Sequence, residues 1–520
     1  MTCWRIAFAA TCVAVLSACA GLPPHADLPP TSAIAVSDAT QTQLGKIAQA
    51  SLPQDGVVDS GFHLLPVGPS ALDARLSLIE RAEKSVDAQY YLVQRDGAGL
   101  AFLRALRAAA QRGVRVRLLV DDLFTVESEV VLRAMATMPH TEVRLFNPFT
   151  RGRFSNLGRL LGALGDLDRV NHRMHNKLLV VDNALAILGG RNIADEYFNH
   201  NVEANFIDLD VMSAGNVVPQ LSHAFDLYWN SSYVFPVEAI AGPATPAIVA
   251  EGMGFLDSEL ALQREMLNGE YPLLGELLEP ILARGRVPLV PGHARVLADQ
   301  PSKVQSHIET LAGLLDTVNK GVLEVLEAAQ HEVIMMSPYF VPQQRHLDNM
   351  RKAVQDHKRV VVITNSIGST DEPLVYAAYA KRRMDMLQSG VELYEINPED
   401  PVKYKILGNF RSAKGGLHAK VALVDQQRVF IGSMNLDARS AVANTELGMI
   451  IDSPALTTDI LRMIRSANVS YHLRLGQQGK IEWVELDQGR EIIHTSEPNL
   501  GLWARFKLFF LSPLVSERLL

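Results

Sequence analysis

The stretch His175-Asn176-Lys177-Leu178-Leu179-Val180-Val181-Asp182 returns 243 residues later as His418-Ala419-Lys420-Val421-Ala422-Leu423-Val424-Asp425. In each copy an apolar run follows the lysine and ends in a polar pair, Asp182-Asn183 or Asp425-Gln426, which reads as a buried strand entering a tight turn. A second apolar run then returns, Ala184 to Leu188 or Val429 to Ile431, and brings Gly189-Gly190-Arg191-Asn192 or Gly432-Ser433-Met434-Asn435 back beside the histidine. Side chains alternate faces along a strand, so the histidine and lysine of each copy point the same way.

At the same offset Asn201 and Glu203 are matched by Asn444 and Glu446. A duplication kept only for folding would retain apolar positions. Here the polar ones persist in register, which points to a shared chemical task.

The flanks repeat as well. A helical pattern at Leu72–Lys84, a strand at Val86–Val93, a helix at Leu100–Arg112 and a strand at Val114–Val120 recur as Val322–Gln330, Val333–Val341, His346–Gln355 and Val360–Thr364. Strands alternating with helices predict an α/β fold with a mainly parallel or mixed sheet in each half.

The chemistry follows from the residue types. Lysine supplies a positive charge and asparagine a neutral donor for the non-bridging oxygens of a phosphodiester. Neutral imidazole can attack phosphorus, and imidazolium can protonate the departing alkoxide, so two histidines on either side of one phosphorus divide the work. Glu203 and Glu446 lie 28 positions after their own histidines, where a following strand would place a carboxylate under the ring and fix its tautomer. Asp182 and Asp425 complete the two motifs and belong to the candidate catalytic set, but they fall on the opposite strand face and read as turn or ion-pair residues.

His-x-Lys-x4-Asp followed by Gly-x2-Asn resembles the HKD motif of the phospholipase D superfamily, with both copies complete in one chain. The resemblance implies two tandem phospholipase D-like α-β-α sandwich domains that form a pseudo-dimer with one active site at their interface. It also implies His175 as the nucleophile that forms a phosphohistidine and His418 as the general acid, with Asn192, Asn435 and Ser433 assisting at the phosphate. Leu436-Asp437-Ala438-Arg439-Ser440 resembles the segment after the second motif in lipid-acting members. Gly-Gly-Arg-Asn followed by Asp195-Glu196-Tyr197-Phe198 is similar to the C-type bacterial cardiolipin synthases. Such an enzyme transfers a phosphatidyl group to phosphatidylglycerol, with phosphatidylethanolamine as a further possible substrate. Hydrolysis to phosphatidic acid is the alternative outcome, and a phospholipase D-type nuclease a weaker one. No cofactor and no metal are expected.

Composition and address fit this expectation. With 520 residues, 48% hydrophobic and 20% charged, the chain can bury more than one core. The net charge of -8 offers no general attraction to nucleic acid. The N-terminus carries Arg5, an apolar run from Ile6 to Leu16 and then Leu16-Ser17-Ala18-Cys19, which resembles a lipobox with Cys19 as the lipidated residue, the alternative being an uncleaved N-terminal anchor. All three cysteines lie in this segment. The expected layout is a signal peptide at 1–18, a tether at 19–60, the first domain at 61–236, a connector at 237–305, the second domain at 306–475 and an extension at 476–520. In that extension Leu502, Trp503, Phe506, Phe509 and Phe510 form an apolar helical stripe suited either to a membrane surface or to packing on the body as a terminal helix. The expected location is a membrane-anchored bacterial lipoprotein facing the periplasm.

His172, three residues before His175, is read as a rim residue because Gly415 stands at the matching place. Tyr90, Tyr91, Tyr339 and Phe340 are candidates for a lipid pocket or for core packing. Arg439 and Lys414 are candidates for a headgroup contact or for solvent.

Overall fold

The computed structural model describes residues 22–23, 29–53, 58–258, 260, 277–305, 317–398, 414–467, 470–487 and 489–499. The lipobox with Cys19 and the apolar stripe at 502–510 lie outside them.

The first half contains β1 (Ser60–Leu65), β2 (Ser85–Tyr90), β3 (Arg115–Asp121), β4 (Thr141–Phe146), β5 (Lys177–Val181), β6 (Leu185–Gly189), β7 (Ala204–Ile207), β8 (Asp210–Gly215) and β9 (Val234–Pro236). The second contains β10 (Val290–Ala298), β11 (Glu332–Met336), β12 (Arg359–Asn365), β13 (Glu392–Ile396), β14 (Lys414–Leu417), β15 (Val421–Val424), β16 (Arg428–Gly432), β17 (Leu447–Asp452), β18 (Ser470–Leu475), β19 (Ile481–Asp487) and β20 (Arg490–His494).

Both halves use the same mixed sheet. Its first form runs β9-β4-β3-β2-β5-β6-β8-β1, with β2, β3 and β4 parallel and the other pairings antiparallel. The second runs β18-β13-β12-β11-β15-β16-β17-β10 in the same sense. The parallel strands are joined by helices Gly97–Gln111 and Gln344–Gln355, as the alternating pattern requires. The tandem α/β arrangement expected from the repeat is therefore present, with helices packed on the sheets.

Three segments do more than their composition suggested. Residues 29–53 were expected to be a tether, but helix Gln43–Ser51 buries Leu44, Ile47 and Ala48 on the first core, an i, i+3, i+4 stripe hidden among alanines and glutamines. The stretch read as a connector covers the helices of the first half. Asp73 accepts the backbone N–H of Leu278 at 2.7 Å, and Arg81 pairs with Glu279 at 2.6 Å. The same stretch supplies β10, which pairs antiparallel with β1 and fuses the two sheets edge to edge. β19 and β20, in the C-terminal extension, lengthen the second sheet.

The two helix–sheet interfaces are not equally filled. In the first half Leu72, Ile79, Phe102, Leu103 and Leu106 have no exposed surface. In the second, a cavity of about 410 Å³ opens between helices Val318–Glu327 and Gln344–Gln355, lined by Leu323, Met335, Phe340, Met350 and Leu436 among others. No helix among the described residues is long and apolar enough to cross a membrane.

Candidate active site

Each histidine precedes the first strand of a hairpin, and each hairpin closes with a mirror-image turn. Asp182 and Asn183 have φ of 52° and 47°, and Asp425 and Gln426 have φ of 52° and 54°. That left-handed geometry explains the short polar side chains chosen there. The two aspartates also accept backbone N–H groups from the preceding turn. Asp182 takes those of Glu83, Lys84 and Ser85, and Asp425 those of Gln330, His331 and Glu332, at 2.7–3.0 Å. They lie at the far end of the strands from the histidines, so they brace the hairpins and have no part in proton transfer. Their place in the catalytic set is corrected accordingly.

The histidine ends of the hairpins meet across a pseudo-twofold axis. The His175 N–H donates to the Thr445 carbonyl at 2.9 Å and the His418 N–H to the Ile207 carbonyl at 2.8 Å. β14 pairs in parallel with β7, and Met174 forms the corresponding bridge with Thr445. Each histidine strand is thus stitched to the opposite half.

The carboxylates follow the same exchange. His175 Nδ1 lies 3.0 and 3.2 Å from the two oxygens of Glu446, and His418 Nδ1 lies 2.7 Å from Asp208. Glu446 serves the other half's histidine rather than its own. Glu203 serves none. It is exposed and bonds through its backbone, its N–H to Asn201 and its carbonyl to the Lys414 N–H.

The error has a physical source. Gly189 pairs with Asp210 and Gly432 with Gly448, spans of 21 and 16 residues, so the first copy is five residues longer after its motif. Register therefore aligns Ile207-Asp208-Leu209 with Thr445-Glu446-Leu447. The matches of Asn201 and Glu203 at the fixed offset are coincidences. Aligning the apolar runs that follow would have found Asp208.

The remaining residues close around the two rings. The Lys177 ammonium donates to the His175 carbonyl at 2.6 Å, and the Lys420 ammonium lies 3.2 Å from His418 Nε2. Ser433 donates its hydroxyl to Glu446. Its counterpart Gly190 is bare for a reason, since a Cβ there would meet Asp208 Oδ1 at 2.1 Å. Asn192 donates to the Tyr197 hydroxyl at 2.9 Å. The carboxamide oxygens of Asn192 and Asn435 are buried with no partner among the described residues, and a carboxamide turned over would offer N–H in the same place.

Two tyrosines stand edge-on to the imidazoles, Tyr91 to His175 at 5.1 Å and Tyr197 to His418 at 5.0 Å between ring centroids. Tyr91 is thus a site residue, whereas Tyr90 is core, packed on Phe102 and bonded to Arg75. Tyr339 donates to Asp371. His172 bonds the Asp168 carbonyl at the rim, Arg439 donates to the Asn171 carbonyl, and Lys414 is exposed.

Electrostatics bind these groups into one centre. Burial pulls the His175 imidazole down to about 4, against the raising pull of Glu446, and Lys420 of the other half lowers it further. Burial and Lys420 pull His418 to about 4 against Asp208, with Lys177 adding from across the axis. Burial also brings Lys420 to about 8 and Lys177 well below its ordinary value. Burial pushes both carboxylates up, but the imidazole each one faces and the nearby lysines outweigh it and hold Asp208 and Glu446 below the usual range. Near neutrality the site holds two carboxylates and two neutral imidazoles beside two buried lysines whose charged form burial disfavours. An entering phosphodiester anion would relieve the lysines and raise the proton affinity of the imidazoles.

The chain is similar to known proteins over most of its length. The family described as "Cardiolipin synthase, PLD-like domain" matches residues 76–229 and 322–467. Cardiolipin synthase C of Escherichia coli (strain K12) is 34% identical over 490 residues, which is 91% of this chain and 100% of that protein. Cardiolipin synthase 1 of Staphylococcus aureus (strain COL) is 24% identical over 76% of this chain and 64% of its own length. Among solved structures, phosphatidylserine synthase of Haemophilus influenzae Rd KW20 superposes with a TM-score of 0.56 at 15% identity, covering 93% of this chain and all of that one. That likeness concerns the fold.

Proposed function

This chain belongs to the phospholipase D superfamily, in the family of cardiolipin synthase PLD-like domains, and from that premise we propose that it is a cardiolipin synthase working through a phosphohistidine. The observation that carries the proposal is the exchanged pair of imidazole–carboxylate contacts, which puts two oriented histidines on one centre. With Nδ1–H held by Glu446, His175 Nε2 carries the lone pair and attacks the phosphorus of one phosphatidylglycerol. His418 takes up a proton once the phosphodiester anion is bound; the bond to the glycerol oxygen breaks, His418 gives that proton to it, and free glycerol leaves. The headgroup hydroxyl of a second phosphatidylglycerol then gives its proton to His418 and displaces His175, yielding cardiolipin. Lys177, Lys420 and the two asparagines hold the non-bridging oxygens throughout.

Purified protein incubated with headgroup-labelled phosphatidylglycerol, with and without phosphatidylethanolamine, tests the proposal. Cardiolipin with stoichiometric glycerol is expected. Phosphatidic acid without cardiolipin would replace the synthase by a hydrolase on the same site. The proposal extends to Cys19 as the lipidated anchor of a periplasm-facing protein. Palmitate labelling lost in Cys19→Ser is the corresponding test.

A further inference from the structure

Between β4 and β5 the chain makes an excursion with an unusual surface. Phe154, Leu157, Leu160, Leu161, Leu164 and Leu167 are 100, 66, 56, 58, 63 and 46% exposed, all within fourteen residues. Scattered apolar side chains are ordinary on a protein surface, but six on one short excursion are not. The excursion is also firmly held from beneath. Arg153 bridges Asp122 and Glu129 at 2.5 and 2.7 Å, Arg159 donates to Thr125 and to the Asp122 carbonyl, and Phe149, Ala163 and Val170 form a small core of their own. A scaffold of buried arginines therefore presents leucines to the outside.

Two further observations say what the surface meets. From Phe124, 47% exposed beside this excursion, an aromatic path leads inward, since Phe124 packs edge-on to Tyr91 at 5.3 Å and Tyr91 edge-on to His175. The N-terminal chain also arrives here. Leu22 lines a cavity of about 340 Å³ with Phe149, Gly162 and Val170.

We propose that Phe154–Leu167 is an interfacial docking surface that inserts its leucines into a phospholipid bilayer and seats the catalytic cleft at the lipid headgroups. This inference rests on the reading of a phospholipid as substrate. Such a substrate is almost absent from water, so the cleft must open at the membrane, and an apolar rim leading to His175 provides that contact.

The test uses the full chain carrying Leu157→Glu and Leu161→Glu, neither of which touches the catalytic groups. On vesicles of phosphatidylglycerol and phosphatidylethanolamine, turnover should fall at least about tenfold, the loss expected when even one leucine can no longer be buried. On short-chain phosphatidylglycerol kept below its micelle concentration, turnover should equal that of the parent, which also reports correct folding. Equal turnover on vesicles would overturn the docking surface. If the parent itself acts on neither lipid form, it is the substrate reading that fails. As a direct readout, Phe154→Trp should add fluorescence that brominated acyl chains quench. An added signal that stays unquenched on vesicles, or a patch buried instead in a stable dimer by light scattering and crosslinking, would refute the proposal.

Discussion

The residue before each histidine is pinned in both halves, but by different chemistry. In the first, Asp121 accepts the Met174 N–H at 2.8 Å and pairs with the buried Arg173 at 3.1 Å. In the second, Asn365 stands at the same place in the sheet, accepts the Leu417 N–H at 2.8 Å and donates to the Leu417 carbonyl at 2.9 Å, and Gly416 replaces the arginine. Behind the motifs the contrast continues. Asp210 is gripped by the fully buried Arg75 and Arg191 at 2.9 and 3.3 Å, where the second half has Gly448 and the apolar Met434. One helix–sheet interface is solid and the other hollow. The halves therefore agree where a side chain would reach the phosphate and diverge in how that side chain is supported. Chemistry constrains the first set residue by residue, whereas any support that supplies the right hydrogen bond satisfies the second.

The sharpest way to break the apparent symmetry is to remove each imidazole. His175→Ala and His418→Ala should each lower turnover by at least about 10³-fold. With a nitrophenyl phosphodiester, whose leaving group needs no proton, only His418→Ala should recover, as read by nitrophenolate release. Recovery of His175→Ala instead would exchange the two roles. Next in size is the carboxylate exchange. Asp208→Asn should lower kcat by about 10²-fold or more by loosening the His418 tautomer, while Glu203→Gln leaves kcat unchanged. The opposite result in steady-state assays would restore the fixed-offset alignment.

A smaller difference concerns packing. Leu103→Ala in the solid interface should cost about 2–5 kcal/mol, but Leu323→Ala at the cavity wall under about 1 kcal/mol, by chemical denaturation. Equal costs would show the cavity to be closed in solution. The smallest effect is one of pH. Both imidazoles are held at about 4 in the fold against 6.5 when free, so the unfolded chain binds more protons in that interval. Their contribution is intact above 6.5 and is lost as pH falls toward 4. Melting temperature should drop over that range, and His175→Gln and His418→Gln should flatten the drop by similar amounts.

Much of this was legible in the chain. The hairpins, the shared face of histidine and lysine, and the bracing role of Asp182 and Asp425 follow from strand periodicity and turn chemistry. The partner of His418 was not, because a five-residue difference in one loop breaks a constant offset and only strand pairing reveals it. β10 was missed for another reason. Val290-Pro291-Gly292-His293 reads as a loop, and the segment becomes a strand because the free edges of β1 and β17 receive it. Helix Gln43–Ser51 likewise gains its stability from docking, since a helix of nine residues is too short to hold by itself in water.

Because Glu446 and Asp208 each serve the opposite ring, the basicity of either imidazole is inherited from the other repeat. Drift in one copy is felt as a change of reactivity in its sibling, so the pair must evolve together at these positions. Neither repeat can be transplanted alone into another protein with its nucleophilic or acidic power intact.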